Sequence, residues 1–326
     1  MDKTIYDNIS LLAEYDFQIG GAQRMLSVVA KRMNKPVYVL ANRKNPSKIW
    51  DVTPILEIPP TKIVFSLVVD SYKLQIIPKK KQIKFCHSGT SLENFVDNPM
   101  AKDIPWLTHR ERVYKFWKRK GFNIDLIPKG YIPYDKTLIE DTPAKNDQGV
   151  FTSRICSAKS PELAIKLFQN LGIPLYFAGN CEFRDYVESL NKNVSENIIF
   201  VQPDEGTGVR LETRDEILRK SKILVHCSFG GMHDYLEYSI LDGLIFNCVP
   251  LCITSEPEQF LIVEEKRIGK VVKNVEEAKR ALFYLLNNYE SYVKRSQEFI
   301  NLFIKDQGVL WQRWESKLEE VCSKLI

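Results

Sequence analysis

"HDYLEYSILDGLIFNCVPL", residues 233–251, decides how this chain is read. Its apolar residues pattern as a buried helix running into a buried strand, yet it also holds Asp234, Glu237 and Asp242. Asp234 followed by Glu237 resembles a capping-box helix start, which satisfies orphan backbone amides and needs no further role. Asp242 is harder to dismiss, because Ile240, Leu241, Leu244 and Ile245 surround it. On an ideal helix it would lie roughly 80° around and about 12 Å up from Asp234. A carboxylate in such company needs a partner. Arg154, Lys159 or the hydroxyls of a ligand would supply one.

Outward from this stretch, short apolar runs alternate with amphipathic segments of helical length. The runs 36–41, 62–69, 82–88, 149–154, 174–179, 197–202, 222–228 and 248–254 read as buried strands. Helical patterns such as "GGAQRMLSVVAKRM", "PELAIKLFQNLG" and "VEEAKRALFYLLNNY" lie among them. That alternation predicts an α/β protein with parallel sheets and crossover helices. The polar segment 134–148 reads as a linker between two halves. In "LWQRWESKLEEVCSKLI", Trp311, Trp314, Leu318, Val321 and Leu325 form one apolar helix face whose expected role is packing.

The chain has 326 residues, 44% of them hydrophobic and 27% charged, which is enough for two domain cores. Lys and Arg total 46 against 41 Asp and Glu, a net charge of +5. That balance suits an anionic ligand or an acidic membrane surface and argues against nucleic acid. No apolar run reaches membrane-spanning length, and the acidic start lacks a signal core, so a cytoplasmic protein is expected. Seven scattered cysteines, mostly beside apolar runs, read as reduced core thiols.

In open parallel sheets, ligands bind at the carboxyl ends of strands. Four such places carry polar groups. Gly20 and Gly21 open a helix, which offers bare amides to a phosphate or sugar oxygen, or simply makes a tight turn. His87 stands where a strand gives way to a Ser/Gly/Thr loop, facing a cleft or serving structure. Arg154 follows the first strand of the second half and Lys159 comes five residues later, before the helix begun by "SPEL". Two cations there can hold a diphosphate, or decorate an exposed loop. The fourth place is the opening stretch, with Gly230 and Gly231 just ahead of Asp234.

Taken in order, these pieces resemble the retaining glycosyltransferases of the GT-B fold, in particular glycosyltransferase family four. Gly20-Gly21-Ala22-Gln23-Arg24 is similar to the family's Gly-Gly-Ala-Glu-Arg loop. "TSRICSAK" gives Arg154 and Lys159 at the spacing of its Gly-Arg-x4-Lys motif. Aligning "CVP" with the end of the family signature puts Asp242 at the second signature acid. The first is Asp234, or Glu237 in the competing register "EYSILD". Both aligned acids are Asp where the family has Glu, and Asn247 stands where it has Gly.

The resemblance implies two Rossmann-like domains with a cleft between them. Residues 1–140 would form the acceptor-side domain and 149–300 the nucleotide-sugar-binding domain, with 301–326 a C-terminal helix crossing back to the first domain. It implies transfer of a sugar from a nucleotide-diphosphate-sugar, UDP- or GDP-linked, to an acceptor hydroxyl on a glycan, lipid or protein. Transfer would proceed with retention and without metal or other cofactor. Arg154 and Lys159 would hold the diphosphate. Asp242 would bind the ribose, and Asp234 or Glu237 the donor sugar. Gly20, Gly21 and His87 would line the acceptor side. The alternative is a non-catalytic protein on the same fold, binding a nucleotide-sugar or using a basic surface. For that surface, 109–121 interleaves basic residues with Val113, Tyr114, Phe116 and Trp117, and would suit peripheral contact at the inner membrane face.

Overall fold

A computed structural model describes residues 9–13, 37–40, 52–55, 63–67, 82–86, 92, 96–97, 99–127, 144–181, 184–201, 209–228 and 237–325. The chain divides into two compact units, Met1–Ile132 with Asp306–Ile326, and Pro133–Lys305.

In the first unit the described strands are β1 (Ile9–Ala13), β2 (Val37–Leu40), β3 (Val52–Ile55), β4 (Ile63–Leu67) and β5 (Gln82–Phe85). Then come helix α1 (Pro99–Asp103), β6 (Trp106–Thr108), helix α2 (Glu111–Arg119) and β7 (Ile124–Leu126). All pair in parallel in the order β3-β2-β1-β4-β5-β6-β7. This is the doubly wound arrangement, with the order reversing between β1 and β4. Helix α2 buries Val113 and Trp117, while Phe116 stays 40% exposed and Lys115 pairs with Glu111. The apolar residues of 109–121 are therefore split between a packed face and an open one.

The second unit begins with β8 (Asn146–Phe151) and a 3-10 turn (Ser157–Lys159), then α3 (Pro161–Phe168), β9 (Leu175–Phe177), α4 (Arg184–Asn191) and β10 (Ile198–Phe200). It continues with α5 (Leu211–Lys220), β11 (Ser221–Ser228), α6 (Tyr238–Ile245) and β12 (Val249–Thr254). A second 3-10 turn (Pro257–Phe260) leads to α7 (Leu261–Glu265), β13 (Lys270–Val272), α8 (Val275–Asn287) and α9 (Tyr289–Ser323). The strands run parallel in the order β10-β9-β8-β11-β12-β13. Here the order reverses between β8 and β11.

Both faces of this sheet are covered, so its central strands read as continuous apolar runs. On β11, Ile223, Val225 and Cys227 enter the main core with Phe151, Phe177 and Leu251. The alternate residues Leu224, His226 and Ser228 are equally buried and point to the other face. Phe177 and Phe200 stack with centroids 4.6 Å apart, extending the core to the edge strand.

Three expectations are corrected at element ends. The segment 134–148 runs into β8, because the polar Asn146, Asp147 and Gln148 already pair beside β11, where Gln148 donates to Ser221 Oγ at 2.9 Å. Strand 149–154 stops at Phe151, which leaves Ser153 and Arg154 in the following loop. The C-terminal helix, expected over 301–326, is the end of one helix Tyr289–Ser323, with no breaker between Tyr289 and residue 301. From Asp306 on, that helix groups with the first unit, where Lys317 Nζ lies 3.2 Å from Asp125 on β7. Trp311, Trp314, Leu318 and Val321 are buried, as their spacing predicts.

All seven cysteines are free and buried. Among the described residues no helix is long and apolar enough to cross a membrane.

Candidate functional site

The site assembles at the carboxyl ends of β8 and β11, where the strand order of the second unit reverses. After Phe151 the chain crosses the end of β9. A Cβ on Gly179 would sit 1.9 Å from the Ser153 carbonyl oxygen, so only glycine permits that crossing. The crossing is pinned by Ile155 N, which donates to Asn180 O at 2.7 Å. It carries Ser153 inward and leaves Arg154 exposed. The 3-10 turn then presents Lys159, and Pro161 at the first position of α3 sets the helix off.

Lys159 Nζ donates to both oxygens of Glu237, each at 2.7 Å, with side chains 13% and 14% exposed. Glu237 is the N-cap residue of α6, extended at φ −69° and ψ 155°, and its carboxylate makes no capping bond. The capping-box reading, with the helix running on from Asp234, is therefore corrected. The helix starts at Tyr238, and Glu237 is turned to a lysine instead of to the helix amides.

Behind this pair lies His226 of β11, closed off from solvent. Its Nε2 is 3.7 Å from Glu237 Oε2. Its Nδ1 is 3.1 Å from Ser153 Oγ and 3.3 Å from Ser239 Oγ. Phe260 meets the ring edge-on at 5.2 Å. His226 is thus packed against the site.

Helix α6 continues from Glu237 inward. Gly243 lets it settle on β11, since a Cβ there would come within 2.6 Å of Leu224 Cδ2. This close approach buries Asp242 to 1% exposure. It pairs with Arg214 of α5, a residue the sequence reading did not offer as its partner, with Nη1 3.4 Å from Asp242 Oδ2. Arg214 Nη2 also donates to Asp215 Oδ1 at 3.0 Å. One buried guanidinium thus lies between two buried carboxylates. Five residues of helix separate Glu237 from Asp242, about 140° of rotation at 100° per residue. The two acids therefore serve different neighbours.

Helix α6 ends in a Schellman turn: Cys248 N donates to Gly243 O at 2.7 Å and Asn247 N to Leu244 O at 3.0 Å. Asn247 takes φ +59°, a left-handed conformation that asparagine tolerates where most residues do not.

Of the residues singled out from sequence, Arg154, Lys159, Glu237 and Asp242 are described, all in the second unit. Gly20, Gly21, His87, Gly230, Gly231 and Asp234 lie outside the described residues. Arg214, Asp215, His226, Ser153 and Ser239 were not singled out as site residues.

No family model matches the sequence, and no curated protein matches it. Solved structures do match in three dimensions. Anabaena HepE, solved in complex with UDP-glucose, matches with a TM-score of 0.67 at 12% identity, over 97% of this chain and 99% of that one. The chain has the GT-B fold. An α-glucosyltransferase solved with UDP and a DNA 13-mer also matches with a TM-score of 0.67, at 11% identity over 96% of this chain and 98% of that one. A glycosyltransferase from Rickettsia africae matches with a TM-score of 0.63 at 12% identity, over 98% and 99%. In the GT-B frame of this chain, the Lys159–Glu237 pair sits at the switch point of the second Rossmann-like sheet, where a doubly wound fold binds its ligand.

Proposed function

We propose that this protein is a glycosyltransferase that moves a sugar from a nucleoside-diphosphate-sugar to an acceptor hydroxyl. The observation that carries the reading is Lys159, with Arg154 on the same loop, at the β8/β11 switch point beside the acid that opens α6. What supports a nucleotide-sugar donor is that matching structures were solved with UDP-glucose or UDP.

In this reading Arg154 and Lys159 grip the diphosphate and offset the charge that grows on it as the sugar leaves. Glu237, or Asp234 in the other register, accepts hydrogen bonds from the donor sugar. Asp242, held from behind by Arg214, closes on the ribose. His87 and the Gly20-Gly21 loop belong to the acceptor side. Transfer keeps the anomeric configuration, and the two cations serve in place of a metal. The protein works in the cytoplasm, and the open face of α2, with Phe116 among lysines, makes peripheral contact with an anionic membrane.

The test is turnover. Wild-type protein incubated with UDP-glucose and other UDP- and GDP-sugars is assayed for nucleoside diphosphate release, with and without chelator, and the product anomer is read by NMR. Lys159→Ala is expected to lose about 10²–10³-fold in turnover, the scale of removing one transition-state charge contact. Release of nucleotide at the same rate in that variant would contradict the reading.

A further inference from the structure

Three neighbouring strands of the second unit start close together. Lys145 stands just before β8, Ser221 opens β11, and Cys248 stands just before β12. Their junction lies at the amino end of the sheet, away from the Lys159–Glu237 pair at the carboxyl end.

At the junction Lys145 Nζ donates to Leu218 O and Ser221 O, each at 2.8 Å, and lies 3.7 Å from Cys248 Sγ. The sulfur sits beside the same two carbonyls, 3.1 Å from Leu218 O and 3.2 Å from Ser221 O. Tyr289 of α9 also faces the sulfur, but its hydroxyl donates to Asn247 O at 2.8 Å. A carbonyl only accepts, so two positions on the lysine nitrogen are held by N–H bonds and the next is aimed at sulfur. Burial lowers the lysine's affinity for its third proton and raises the thiol's for its own. A neutral amine beside a neutral thiol is thereby favoured, with the nitrogen lone pair facing S–H.

We propose that Lys145 and Cys248 form an oxidative modification site, in which hydrogen peroxide oxidises the thiol and the lysine amine then closes on the sulfur as a sulfenamide. In the first step sulfur gives two electrons to peroxide: an S–O bond forms and the O–O bond breaks. Nζ takes the thiol proton and hands it to the departing hydroxide, which leaves as water. In the second step the amine lone pair attacks sulfur: an N–S bond forms and the S–O bond breaks. The second hydroxide leaves as water with a proton from nitrogen. The pair loses two hydrogens in all, and one peroxide becomes two waters.

Cys248 is closed off from solvent, but Lys145 is only partly buried, which leaves the pair one approach from outside. Peroxide is little larger than water and can use an approach that excludes a bulky thiol reagent. The product would join residues 103 apart in sequence and staple the starts of β8 and β12 across β11. It would form whether or not the protein transfers a sugar.

The experiment treats the reduced full-length protein with hydrogen peroxide at neutral pH, then denatures it, alkylates it and maps it by mass spectrometry. The expected product is a joined peptide carrying Lys145 and Cys248, lighter than its two parts by two hydrogens, which dithiothreitol separates again. In Lys145→Met, which lacks the base, Cys248 should be oxidised at least about tenfold more slowly. Equal oxidation of Cys248 in that variant would overturn the site. Should the variant fail to fold, the wild-type map decides alone. Cys248 still a free thiol, or carried to sulfinic acid with Lys145 unmodified, would overturn the proposal.

Discussion

Arg214 on α5 and Asp242 on α6 form an ion pair, with Nη1 3.4 Å from Oδ2 and both residues buried. Asp215 shares the same guanidinium. Two helices that flank β11 are thereby joined behind the switch point, and the carboxylate of Asp242 has its orientation set by protein. Removing the arginine takes a shared guanidinium away from two buried carboxylates. Arg214→Met is expected to cost about 3–5 kcal/mol in urea unfolding. Asp242→Asn, which keeps a hydrogen-bonding shape, should cost less. Equal stability of Arg214→Met and wild type would show that the pair does not join the helices.

The crossing at Gly179 leads to a second prediction. Its would-be Cβ meets backbone, the Ser153 carbonyl, which cannot swing aside as a side chain can. Gly179→Ala should therefore displace the loop that carries Ser153, Arg154 and Lys159. Unfolding should show a loss at the upper end of the roughly 1–3 kcal/mol usual for overpacking. Nucleotide binding should weaken in parallel, and a stable variant with normal binding would be at odds with the crossing.

Near the end of α9, Glu320 accepts hydrogen bonds from Lys317 and Lys324, which hold its carboxyl down at about 2. The folded value lies below the unfolded one, so the unfolded chain binds more protons in between, and stability rises with pH there. The contribution is complete above the usual carboxylate range and is lost as pH falls from there toward about 2. In Glu320→Gln that part of the acid limb should flatten. Unfolding free energies measured across the window, at low salt, would test it.

The cysteines supply a chemical check. Burial raises the thiols of Cys227, Cys248 and Cys252, and that of Cys322 to about 12. Thiolate is the reactive form, so the native protein should resist a thiol reagent at neutral pH while denatured protein releases all seven thiols. Fast labelling of any one in the native state would mark a locally open core.

How much of this was legible beforehand depends on what each residue's signal looks like in one dimension. Long apolar runs such as those of β11 and β12 announced themselves, because a strand covered on both faces has no polar alternation to confuse. The three-residue strands β6, β7, β9, β10 and β13 are at the limit of any pattern, and of these only β9 and β10 were read. Polar Asn146 to Gln148 hid the start of β8. The beginning of α6 was misread because Asp234 and Glu237 have capping-box spacing, and only three dimensions reveal that a lysine 78 residues away holds the glutamate. Arg214 left almost no trace. "LETRDEILRK" reads as an ordinary charged helix, and nothing in it distinguishes the buried Arg214 and Asp215 from the exposed Glu216 and Lys220. The expectation that Asp242 needed a partner was sound, but the partner's identity was not in the local sequence.

The central claim, that the Arg154–Lys159 loop at the switch point binds a nucleoside diphosphate, is tested most directly by titrating UDP and GDP into the protein in calorimetry without metal. The account predicts saturable binding of one of them at a single site, weakened at least about tenfold in Lys159→Ala, a loss of about 1.4 kcal/mol. Binding that is unchanged in Lys159→Ala, or no binding of either nucleotide, would contradict it.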